Sequence, residues 1–120
     1  MEDLVQLLKG DFMHVPQPDE SFDAIYEIEA TPHAPSKEGV YAELYRLLKP
    51  GGCFGGYEWC MTDKYDPKNE THKKIKYGIE IGNSLPEIAS TKEVADALRK
   101  VGFEIIELTD FGSIDTQVRY

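Results

Sequence analysis

The chain has 120 residues and a formal net charge of −9, room for a single domain. That acidity argues against a nucleic-acid partner, which needs clustered cations, and against electrostatic docking on anionic lipid. No apolar run approaches membrane-span length, and MEDLVQLL at the start has no basic lead or cleavage site, so an intracellular chain is expected.

Leu4 to Leu8 is a short apolar run that ends at Gly10-Asp11 and reads as a strand. The turn-rich segment Pro16-Gln-Pro-Asp-Glu-Ser21 follows. Phe22, Ala24, Tyr26 and Ile28 alternate with Asp23, Ile25 and Glu27, which predicts a strand over FDAIYEI. Thr31-Pro-His-Ala-Pro35 is expected to be a loop, since two prolines oppose helix and ladder alike. Ser36 is a candidate cap for a helix carrying Val40, Leu44, Leu47 and Leu48 at helical spacing. Pro50-Gly51-Gly52 is its stop.

Cys53 to Met61 reads as a strand whose Gly55-Gly56 marks a bulge or the close approach of another group. Cys53 and Cys60 sit at odd spacing in it, so they point to opposite faces and stay reduced. Asp66-Pro67 predicts a helix start, with Ile75 and Ile79 as its stripe and Gly82 as its end. Ser90-Thr-Lys-Glu93 is a capping box, followed by Val94, Ala95, Leu98 and Val101 and a terminal Gly102. FEIIEL at Phe103 to Leu108 predicts a last strand, and Phe111 to Tyr120 has no strong pattern. Helices between strands imply a mostly parallel α/β sheet, and such sheets bind ligands beyond the carboxyl ends of their strands. Those ends are Asp11-Phe12, Glu29 to His33, and Tyr57 to Met61. No metal-ligand spacing appears, and no metal partner is expected.

Two segments carry a family signal: EATPHAP at Glu29 to Pro35 and YEWCMTDKYD at Tyr57 to Asp66. Together with GDFM at Gly10 to Met13, LLKPGG at Leu47 to Gly52 and IEIGNSLPEI at Ile79 to Ile88, they resemble sterol 24-C-methyltransferases of the class I methyltransferase superfamily. Pro32 stands where that family usually has Cys, and Asn83-Ser84 where it usually has Asp-Gly. The resemblance implies a partial Rossmann-like class I methyltransferase sheet over residues 1–110, without the first strands and the glycine-rich loop, and a tail over 111–120. It implies S-adenosylmethionine as cofactor, a sterol as substrate, methyl transfer to C24 by a truncated form, and an endoplasmic-reticulum or lipid-associated setting. An open apolar edge on the Phe22–Ile28 strand is expected to pair with a second copy, with a full-length methyltransferase, or directly with Leu4–Leu8.

Each candidate has an ordinary reading beside the functional one. Asp11 and Phe12 line an adenosine pocket or merely end a strand. Glu29 reaches cofactor or substrate, or hydrogen-bonds its own loop. His33 is the candidate base or a loop-packing residue. Tyr57, Trp59 and Met61 share one face, which holds a sterol or joins the core. Glu58, an acidic residue on the opposite face, needs a ligand, a helix N-terminus or a cation beside it. Catalytic roles thus fall on Glu29, His33, Tyr57 and Glu58. Tyr41 and Tyr45 read as packing residues, while His14, His72, Lys73 and Lys74 read as solvated.

Overall fold

The computed structural model describes residues 4–113. Its elements run β1 (Phe22–Ile28), a 3-10 turn (Thr31–His33), α1 (Lys37–Leu47), β2 (Leu48–Tyr57), α2 (Glu70–Asn83) and α3 (Thr91–Val101). β1 and β2 pair in parallel across α1 and make a two-stranded sheet. No helix among the described residues is long and apolar enough to cross a membrane.

Local chemistry accounts for the helix ends. Ser36 Oγ accepts from the Gly39 amide and opens α1. Ser90 and Glu93 form a reciprocal capping box at α3, and Gly102 closes it at φ +118°. The KPGG segment does more than stop α1. The register runs Phe22 to Leu48 and then Ala24 to Cys53, so Lys49–Gly52 bulges out opposite Asp23. Gly51 turns there at φ +80°, and a Cβ on Gly52 would lie 2.9 Å from the Asp23 carbonyl.

α1 and α3 pack together on one sheet face. Ala34, Val40, Tyr41, Leu44, Val94 and Ala97 are the buried centre, with Ile25, Phe54 and Phe103 against it. Phe54 lies 6.3 Å from Tyr41 and 5.9 Å from Phe103, ring centre to ring centre. No described element covers the other sheet face, where Tyr26 is 82% exposed and Ile28 65%. The FDAIYEI alternation is real, but its more apolar set points outward and Ile25 points to the helices.

Several expectations are corrected. Leu4–Leu8 forms no strand, and its leucines and Val5 are exposed. It does not pair with β1, and a strand without a neighbour leaves its ladder groups unmade. Phe103–Leu108 forms no strand for the same reason, although Phe103 and Ile105 remain partly covered. The second strand begins at Leu48 and stops at Tyr57, so Glu58 to Met61 lies beyond it. The order is therefore strand, helix, strand, helix, helix. Asp66-Pro67 makes a turn, with the Asp66 carboxylate accepting from the Lys68 amide. Helix α2 starts after Asn69, whose side chain accepts from the Thr71 and His72 amides. It runs through Gly82 and ends at Ser84, a left-handed residue at φ 55°. Pro32 sits at the start of the 3-10 turn, where a missing N–H costs nothing. Of the 111–120 tail, residues 114–120 lie outside the described residues.

Candidate active site

The carboxyl ends of β1 and β2 lie side by side. The Glu29 amide donates to the Tyr57 carbonyl at 3.0 Å, bringing the EATPHAP and YEWCMT segments together. Glu29 itself is left-handed at φ 56°, a conformation that costs a non-glycine residue roughly 1–3 kcal/mol. Its exposed side chain borders a wide groove of about 1530 Å³ between β2 and the segment after α3. Tyr57, Trp59 and Phe111 line the same groove, and the Tyr57 and Phe111 rings are 5.7 Å apart. Among the described residues, Arg46 and Lys49 are the groove's only cations, against Glu29, Glu104, Glu107 and Asp110 among its acids. The groove therefore favours a cationic ligand.

Glu58 turns toward α1. Its side chain is 11% exposed. Lys37 Nζ donates to Oε1 at 2.7 Å, and the Tyr41 hydroxyl donates to Oε2 at 2.9 Å. The Thr31 hydroxyl donates to that second oxygen as well. The cation required beside Glu58 is Lys37. Burial, and then the Glu58 charge, raise the Tyr41 phenol far above its ordinary value. The same two causes push the Cys60 thiol up to about 11. Glu27 braces the loop from the β1 side, with Oε2 accepting from the Ala30 amide at 2.7 Å.

His33 is exposed on the 3-10 turn and does not line the groove. Its Nδ1 lies 3.3 Å from the Ser84 carbonyl. A carbonyl only accepts, so in this contact Nδ1 is the donor. Asp11 and Phe12 lie in a separate turn, where Asp11 Oδ1 accepts from the Met13 amide at 2.8 Å and the Phe12 ring is open to solvent. Met61 bridges to Ser90 through main-chain bonds to Ala89 and Thr91, apart from Tyr57 and Trp59. The geometry thus gathers Glu29, Tyr57, Glu58 and Trp59, and leaves Asp11, Phe12, His33 and Met61 around them.

Sequence reasoning missed Thr31, Lys37 and the hydroxyl of Tyr41. A signal existed: Lys37 and Tyr41 are four apart on one helix face, and an acidic residue directly beyond β2 required a partner.

Residues 1–55 match the family described as a methyltransferase domain. The chain is 56% identical over 111 residues to the sterol 24-C-methyltransferase of Candida albicans, covering 92% of this chain and 30% of that protein. It is 58% identical over 99 residues to the cycloartenol-C-24-methyltransferase of Arabidopsis thaliana, covering 82% and 30%. A methyltransferase structure from Galdieria sulphuraria superposes with TM-score 0.69 at 26% identity, over 82% of this chain and 35% of that one. The chain spans about 30% of the length of the curated relatives it matches. With two signature segments joined at one end of a parallel sheet, and with these identities over most of its residues, the chain belongs to the sterol 24-C-methyltransferase family.

Proposed function

We propose that this chain forms part of the active site of an enzyme that transfers a methyl group from S-adenosylmethionine to C24 of a sterol side chain. The observation that carries this reading is the Glu29–Tyr57 main-chain bond, which places both signature segments at the carboxyl end of the sheet.

Glu29, at the carboxyl end of β1, offers an exposed carboxylate acceptor to the hydroxyl donors of adenosine. Asp11 and Phe12 offer a carboxylate and an open aromatic face from a separate turn, outside the groove that Glu29 borders. When bound, S-adenosylmethionine supplies an electrophilic methyl group on a cationic sulfur. Glu29 and the acidic groove favour that positive charge. Tyr57 and Trp59 offer apolar surface to a sterol, and their ring faces favour positive charge developing on its side chain by roughly 0.5–2 kcal/mol per contact. His33 stands outside that groove, so its role as the base that takes the released proton requires the substrate to extend past Glu29 to the 3-10 turn. A membrane-dissolved substrate places the site near a lipid surface. The bare edge of β1 is the route for pairing with a second copy or with a longer methyltransferase.

The test is a titration of the chain with S-adenosylhomocysteine, followed by calorimetry and by the fluorescence of Trp59, its single tryptophan. Saturable micromolar binding, weakened by Glu29→Gln, supports the reading. A folded chain that binds nothing refutes the cofactor contact, and a sterol panel separates C24 methylation from action on another small molecule.

A further inference from the structure

Tyr41 is 1% exposed, yet its hydroxyl is not idle. It reaches from α1 to Glu58, the first residue beyond β2, at 2.9 Å. Thr31, three residues beyond β1 and also buried, donates to the same carboxylate oxygen. Lys37 closes the ring: Nζ donates to Glu58 at 2.7 Å and to the Thr31 carbonyl at 2.8 Å. One carboxylate therefore ties the loops after both strands to one helix. Packing alone would be served by phenylalanine, and a buried hydroxyl is tolerated only with a partner.

We infer that Tyr41 is a positioning residue: through Glu58 it holds the loops after β1 and β2 in the one arrangement that keeps Glu29, Tyr57 and Trp59 on the same groove. The purpose of that groove rests on the proposed function; the positioning does not. The phenol stays protonated at neutral pH, since burial and the neighbouring carboxylate both oppose its ionisation, so it serves as a constant donor.

The experiment uses the 120-residue chain and its Tyr41→Phe variant, with Tyr45→Phe as control. Tyr45 lies on the same helix but meets Phe103 edge-on at 5.2 Å. Amide exchange is read at Glu29, His33 and Ala34, which donate to Tyr57, Ala30 and Thr31, and at Val94, which donates to Ser90. Losing one hydrogen bond to a charged group is expected to speed exchange of the three loop amides by roughly tenfold, with faster acrylamide quenching of Trp59 and little change at Val94 or in Tyr45→Phe. Glu58→Gln should loosen the same amides, and the double variant should add nothing, because Tyr41 acts through Glu58. Uniform acceleration that includes Val94, unchanged loop amides, or additive effects in the double variant would overturn the inference. If Tyr41→Phe does not fold, Glu58→Gln decides alone: loop amides like those of the parent chain defeat it. None of these readouts requires cofactor, so failure of the S-adenosylhomocysteine titration would sink the proposed function and leave this result standing.

Discussion

Glu27 and Gly56 face each other across the parallel pair, and the glutamate fills the space a side chain at 56 would need. A Cβ there would lie 2.4 Å from Glu27 Oε1. The neighbouring Gly55 has nothing within 4 Å. Gly56→Ala must move the Glu27 carboxylate and weaken its solvent-exposed bond to the Ala30 amide, at a cost of about 0.5–1.5 kcal/mol. Gly55→Ala should be neutral or stabilising by about 0.4–1 kcal/mol, because it restricts the unfolded chain. Urea unfolding of the two variants checks the contrast, and equal effects would contradict it.

Ser84 ends α2 at φ 55° and ψ 39°, a position natural to glycine. Ser84→Gly removes the left-handed strain, offset in part by the greater freedom of glycine in the unfolded chain. A net gain of about 0.5–1 kcal/mol is expected. His33 meets the carbonyl of residue 84, not its side chain, so that contact should survive the substitution. Chemical denaturation gives the first number, and the nitrogen shifts of His33 give the second.

Glu43 secures the segment before β1. Its carboxylate accepts from Arg46 at 3.0 Å and from the Val15 amide at 2.9 Å. The Arg46 hydrogen bond first, and the Val15 amide after it, hold this carboxyl below its ordinary range despite opposing burial. A carboxyl depressed in the folded state stabilises above its unfolded value, about 4.3, and loses that contribution as the pH falls below it. The unfolding midpoint of the parent chain should therefore drop between about pH 5 and pH 3, and that of Glu43→Gln should drop less.

The two thiols should separate cleanly. Cys53 is exposed, whereas Cys60 is partly covered and its thiol is pushed up to about 11 by burial and by Glu58. Since the thiolate is the nucleophile, iodoacetamide near pH 7.5 should label Cys53 quickly and Cys60 only after unfolding, as peptide mapping would show. A thiol raised in the folded state stabilises below its unfolded value, about 8.5, and that contribution fades as the pH rises through about 11. Equal labelling of both cysteines in the native chain would contradict the assignment.

The residues that read correctly in the sequence are those whose structure is local. Ser36, Ser90, Glu93 and Gly102 act within a few positions of themselves, and each caps the helix expected of it. β1 matches FDAIYEI end to end, because a ladder partner stands directly beyond α1. Leu4–Leu8 and Phe103–Leu108 carry equally good strand patterns but lack a neighbour to bond, and no local signal reports that. At the site, the strand-end rule located Glu29, Tyr57 and Glu58. It had no means of showing that Glu58 faces Lys37 and Tyr41, because strand alternation lapses where β2 stops at Tyr57. His33 was legible as a polar residue in a proline-bound loop. Its contact with Ser84, fifty-one positions away, was not.

β1, α1 and β2 are consecutive along the chain, so their ladder closes across a single helix. α3 arrives much later in synthesis. At about 5–20 residues per second, some seconds separate completion of β2 from the emergence of α3. Throughout that interval Val40, Tyr41 and Leu44 have no Val94 or Ala97 to cover them. A sheet that closes in that interval has its inner helix face bare. Chaperone demand should peak at that stage, and codon changes that slow translation between β2 and α3 should lower the yield of native chain without altering one amino acid.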